Sequence, residues 1–97
     1  LPNPYWIPAL RNHTGLEESV VTYVLENTTG QRFLDHCIPF LLFFLNSHQR
    51  AGREEIRLAV GCTGGRHRSV AVIGRLQKTL ADTEFDLNVF HRDITKD

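Results

Sequence analysis

Apolar side chains recur at Phe33, Leu34, Cys37, Ile38, Leu41, Leu42, Phe44 and Leu45, with polar residues between them. That is the i, i+3, i+4, i+7 spacing of a helix with one buried stripe, and it predicts a helix from 31 to about 49. Pro39 falls inside this run and predicts a kink or a break, because proline has no N–H for the preceding turn. Ala51-Gly52 closes the run. Upstream, Thr14-Gly15-Leu16 reads as a turn into a shorter helix. Glu17 and Glu18 suit the positive end of its dipole, Val20, Val21, Tyr23, Val24 and Leu25 supply its buried face, and Asn27-Thr28-Thr29-Gly30 breaks it. Downstream, Val70, Ile73, Gly74, Leu76 and Leu80 mark one face of a third helix running to about 81.

Two stretches depart from helical spacing. Ile56-Arg57-Leu58-Ala59-Val60-Gly61-Cys62 reads as a short strand, and Phe85, Leu87, Val89 and Phe90 alternate with polar neighbours as a last strand would. Strand, helix, strand in that order predicts a right-handed βαβ unit with parallel strands. The expected class is therefore α/β, a small open, mostly parallel sheet with flanking helices. Pro2, Pro4 and Pro8 forbid a helix interior at the start of the chain and favour an extended segment there, the tail of a further strand.

Composition narrows the function classes. With 97 residues the chain is expected to form one domain, 1–97, with one core. Its formal net charge is zero, so no polyanion partner is implied by overall basicity and any such site must come from local clustering. Arg66, His67 and Arg68 form one cluster, and His91-Arg92 a second. Cys37 and Cys62 sit in unlike contexts and suggest no disulfide framework, which favours a cytoplasmic chain. The apolar run 38–45 is too short to cross a bilayer, and no signal peptide is visible. The absence of methionine and the opening Leu1-Pro2-Asn3-Pro4 suggest a piece of a longer protein.

The chemistry concentrates in Gly61-Cys62-Thr63-Gly64-Gly65-Arg66-His67-Arg68-Ser69, between the expected strand and the third helix. A helix N-terminus presents unpaired amides and a partial positive charge, worth roughly 0.3–1 kcal/mol to a nearby anion. Gly64 and Gly65 allow the backbone to curl with positive φ and an oxygen to approach closely. Thr63 and Ser69 offer hydroxyls, Arg66 and Arg68 forked charged donors, and His67 charge near neutral pH. Together with Cys62 these residues predict a phosphate-gripping turn.

A second reading of the same turn is enzymatic. Cys62, five intervening residues, then Arg68-Ser69 matches the spacing of cysteine-dependent phosphatases, in which a thiolate activated at a helix N-terminus attacks phosphorus. Gly61 stands where those enzymes usually carry histidine, and Asp93 beside His91-Arg92 is the one candidate for a leaving-group acid. A third reading is a self-association domain with a vestigial anion site, joined through the apolar surface of the second helix at 40–45.

Asn3, Arg11, His13 and Thr14, with His91 and Arg92, would line the same pocket if all strands were parallel. His36 and His48 have no partner at ligand spacing, and no metal site is expected. Tyr5 and Trp6 read as core or interface residues, although aromatics beside a basic pocket also suit single-stranded RNA.

In order along the chain, Leu1-Pro2-Asn3-Pro4-Tyr5-Trp6, Thr14-Gly15-Leu16, the segment from Gly61 to Val70, and His91-Arg92-Asp93 resemble the C-terminal domain of the RNase adapter protein RapZ family. The resemblance spans nearly the whole chain, and the nonapeptide is its specific part. It implies a phosphosugar-kinase-like fold and a non-catalytic regulatory role in bacteria. The resemblance further implies that, as in some members, the domain binds small regulatory RNAs, presents one to an endoribonuclease and senses glucosamine-6-phosphate. Carried over by position, the ligand phosphate would meet Thr63, Gly64, Gly65, His67, Arg68 and Ser69, with His91 and Arg92 nearby. The family's ATP- and GTP-binding P-loop belongs to an N-terminal domain, and no Gly-x4-Gly-Lys motif occurs in these residues, so no cofactor is implied here. The chain ends Thr95-Lys96-Asp97 in place of the basic tail of RNA-binding members.

Overall fold

A computed structural model describes residues 1–52, 55–83, 85 and 88–94. Its regular elements are a 3-10 turn, Pro4–Trp6, and three α-helices: α1 Glu18–Leu25, α2 Thr28–Arg50 and α3 Arg68–Leu80.

The start of the chain is not simply extended. Pro4 occupies the first position of the 3-10 turn, where its missing N–H costs nothing, and the Asn3 side chain accepts from the Tyr5 amide at 3.1 Å. The α1–α2 corner depends on Asn27. Its Oδ1 accepts from the Gly30 amide at 2.8 Å, capping α2, while its Nδ2 donates to the carbonyls of Tyr23 and Val24 at the end of α1, both at 3.0 Å. Gly30 is buried against the backbone of Leu25, where a side chain would collide. α2 therefore starts three residues before the periodicity placed it. Pro39 neither ends nor interrupts it in secondary structure: the helix runs from Thr28 to Arg50 with Pro39 inside, and one missing amide is outweighed by the bonds around it.

The core gathers Val20, Val24 and Leu25 of α1, Leu34 and Leu41 of α2, and Ala71, Val72, Leu76 and Leu80 of α3. α1 packs against α3, α2 and the 3-10 turn. Fully burying a Val or Leu side chain stabilises by about 1.5–3 kcal/mol.

The predicted sheet is not there. Residues 56–62 belong to no strand, nor do Phe85 and Asn88, Val89 and Phe90; Leu87 lies outside the described residues. The described residues are helical, with no strand, no βαβ unit and no open parallel sheet, so the α/β class and the phosphosugar-kinase-like fold expected from the resemblance are both overturned. The physical reason is that a strand needs a neighbour for its N–H and C=O groups. The alternation of 56–62 specifies a face, but no described segment offers it a ladder. No helix is long and apolar enough to cross a membrane.

Candidate functional site

The turn that enters α3 has the backbone its glycines allow. Gly64 and Gly65 take φ of +85° and +69°, the left-handed region that side chains disfavour. The chain then enters α3 at Arg68. His67 is the N-cap residue, yet its side chain makes no capping bond. Its ring is instead buried, 6% exposed, and Nε2 donates to the Arg11 carbonyl at 3.0 Å. A carbonyl can only accept, so the hydrogen is on Nε2. A second clasp lies beside it: the Gly15 amide donates to the Arg66 carbonyl at 2.9 Å. A side chain at Gly15 would strike the His67 carbonyl oxygen and the Ala71 amide nitrogen. The N-terminal loop and the glycine turn are thus held together by backbone, one ring and one obligatory glycine.

Cys62 forms the floor. Its sulfur accepts from the Ser69 amide at 3.3 Å and lies 3.4 Å from the Ser69 hydroxyl. Partial burial is the largest single influence on the thiol and pushes its pKa up. The Ser69 hydroxyl, the amides of Ser69 and Gly65 and the charge of Arg68 act the other way and together outweigh it. The thiol ends below its ordinary value. Ser69 is buried and faces the sulfur; Thr63 and Gly64 are exposed. Arg66 and Arg68 are half-buried, and the Nε of each is enclosed without an acceptor among the described residues. A buried donor left unmade is costly.

The other expected residues divide. His91, Arg92 and Asp93 line one hollow with Cys62, Gly65 and Ser69, so the second basic pair does reach the turn. Arg11 reaches the site only through its carbonyl. Its guanidinium donates to the Tyr5 carbonyl at 2.7 Å and lies 5.0 Å from the Tyr5 ring centroid. Asn3 caps the 3-10 turn, and Thr14 Oγ1 accepts from the Leu16 amide at 3.3 Å. His13 pairs with Glu17 at 2.7 Å. These three serve their own loop. His48 bonds the Phe44 carbonyl from within α2 and His36 is exposed on α2. Two contributors escaped the sequence reading. Gly15 was legible only as a turn residue, and Asp93 entered only as a candidate acid, whereas it lies directly against Gly65.

The family of the RapZ C-terminal domain matches residues 1–95. A nucleotide-binding protein of Geobacter sulfurreducens is 45% identical over 96 residues, covering 99% of this chain and 34% of that protein. One from Nitratidesulfovibrio vulgaris is 45% identical over 94 residues, covering 97% and 32%. One from Corynebacterium aurimucosum is 41% identical over 98 residues, covering 100% and 33%. The chain spans about a third of the length of these curated relatives.

Proposed function

The chain belongs to the RapZ C-terminal domain family, and on that premise we propose that it is a non-catalytic sensing module whose turn before α3 binds the phosphate group of a small phosphorylated ligand. One observation carries this reading: two consecutive left-handed glycines feed α3 while the guanidinium Nε atoms of Arg66 and Arg68 are enclosed without a protein acceptor among the described residues. Glucosamine-6-phosphate is the ligand the family resemblance favours. The relatives' name, nucleotide-binding protein, describes chains about three times as long. In this reading nucleotide binding belongs to the whole protein and this domain reports a phosphorylated metabolite to it.

Calorimetric titration of the intact protein with glucosamine-6-phosphate, with inorganic phosphate beside it, tests the proposal. Binding is expected and Arg68→Ala should weaken it at least tenfold, the loss of a charge-assisted hydrogen bond of roughly 1.5–3 kcal/mol. Equal heats from wild type and variant would sink it. RNA and an endoribonuclease are further partners in this reading. The exposed Arg92 and Arg11 with Tyr5 and Trp6 suit an RNA contact, whose affinity should fall steeply with salt.

The state of Cys62 favours a second reading, the cysteine phosphatase. A lowered thiol pKa, the Ser69 hydroxyl at the sulfur and Arg68 close by suit a nucleophile. Against it, Asp93 is held in an ion pair by Arg92 at 3.1 Å, which stabilises a carboxylate rather than the protonated acid a leaving group needs. Phosphate release from an aryl phosphate, abolished by Cys62→Ser, would establish the enzyme.

A further inference from the structure

The floor of the glycine turn can itself become an anion. Cys62 Sγ accepts from the Ser69 amide at 3.3 Å and lies 3.4 Å from the Ser69 hydroxyl, and the Gly65 amide and the charge of Arg68 also favour its ionised form. Amides at the start of a helix, a hydroxyl and a guanidinium are the donors an oxyanion needs in the same place. The sulfur shares one hollow with Thr63, Arg68 and Ser69, and there the Nε of Arg68 is enclosed without an acceptor among the described residues. The thiol is therefore a wall of the seat.

The charged groups around the sulfur come from every segment that meets it. α3 and the turn supply Arg68, Arg66 and His67, whose ring bonds the Arg11 carbonyl instead. A second hollow lined by the sulfur adds His91, with Arg92 and Asp93 paired at 3.1 Å and Arg57 paired with Glu55 at 3.4 Å. α2 and the start of the chain bring Phe33, Leu41, Phe44, Leu45, Gln49 and Leu1 to the two hollows, and none of those side chains titrates. Among the described residues, Cys62 is the titratable side chain that takes up the Ser69 amide.

Resting on the phosphate-binding reading above, we propose that the Cys62 thiolate and an external oxyanion compete for the same donors, so that the thiol leaves the seat open and the thiolate closes it. Two like charges about 4 Å apart oppose each other by roughly fivefold in affinity in water, and by more where water is partly excluded. The coupling is reciprocal: a bound oxyanion holds the thiol protonated to the same extent as the thiolate repels the oxyanion. The cysteine phosphatase, by contrast, needs thiolate and phosphate in the seat together.

The probe is sulfate, a dianion whose charge stays constant where thiols ionise. It is titrated calorimetrically into the intact protein across pH at constant ionic strength. Wild-type affinity should fall about tenfold or more as pH rises through the ionisation of Cys62. Cys62→Ser is close in shape and has no ionisable thiol, so it should lose that fall and keep only the slope due to the other groups of the site. A second arm uses wild type alone: the alkylation rate of Cys62, followed by mass spectrometry, should titrate with a midpoint about one pH unit higher in saturating sulfate than in chloride. A midpoint that sulfate leaves in place overturns the proposal, as does a fall in affinity that Cys62→Ser retains in full. Failure of the underlying phosphate reading looks different: sulfate binds wild type at no pH, and Arg68→Ala changes nothing.

Discussion

Val20, Val24 and Leu25 on α1 share one core with Val72, Leu76 and Leu80 on α3, each at most 2% exposed, whereas Phe40 and Phe43 on α2 each keep 68% of their surface. The two regions contain the same kind of residue and differ in whether the described chain supplies a partner. α1 packs against α3 and against the 3-10 turn; Phe44 and Leu45 of α2 share a hollow with residues 56–60 and Phe90, which lie in no regular element, and Leu58 and Phe90 are also exposed. Helices form in both regions because their backbone bonds are internal. Burial comes only where a second element is placed against the stripe.

That contrast is open to direct test. Leu76→Ala should cost about 2–5 kcal/mol in a denaturant titration, as deletion of packed core atoms does, while Phe43→Ser should stay within about 0.5 kcal/mol of wild type, as exposed substitutions do. Equal costs would erase the distinction and show that Phe43 is covered. Gly15→Ala should come next, losing about 1–3 kcal/mol through overpacking against the His67 carbonyl and the Ala71 amide. It should also weaken phosphate binding, since those atoms belong to the N-cap and first turn of α3; a stability loss with unchanged affinity would separate the clasp from the site.

The smallest effect concerns Cys62. Its lowered pKa means that the folded state favours the thiolate more than the unfolded chain does. The resulting stability is present above the ordinary thiol pKa and is lost as pH falls through the lower folded value. Alkylation by iodoacetamide should accordingly titrate below an ordinary thiol, with the midpoint moving up in Arg68→Ala. An ordinary midpoint in the folded protein would refute the arrangement at the sulfur.

The helices were legible because their evidence is local. The stripe through Phe33, Leu34, Cys37 and Leu41 announces α2 without reference to any other part of the chain, and only its start was misplaced, because the reach of Asn27 to the Gly30 amide extends the helix back to Thr28. The strands expected at 56–62 and 85–90 rest on a short apolar run before a glycine turn and on alternation, and neither says which segment pairs with it. The residues of the candidate site were legible as a composition: glycines, hydroxyls, cations and a thiol within nine positions. Their roles were not. His67 reads as a charge for the ligand and is instead bonded to a carbonyl 56 positions away. Asp93 reads as an acid for a leaving group and is packed on Gly65, 28 positions before it in the chain. Contacts at that separation leave no trace in spacing.

The bond from His67 to Arg11 has one consequence for what the N-terminal loop can tolerate. Because the acceptor is a backbone oxygen, the joint does not depend on which side chain stands at position 11. The loop therefore works as a backstop for the entry to α3, fixed by the course of its main chain and by a single ring, while the side chains it displays outward can vary without loosening that seam.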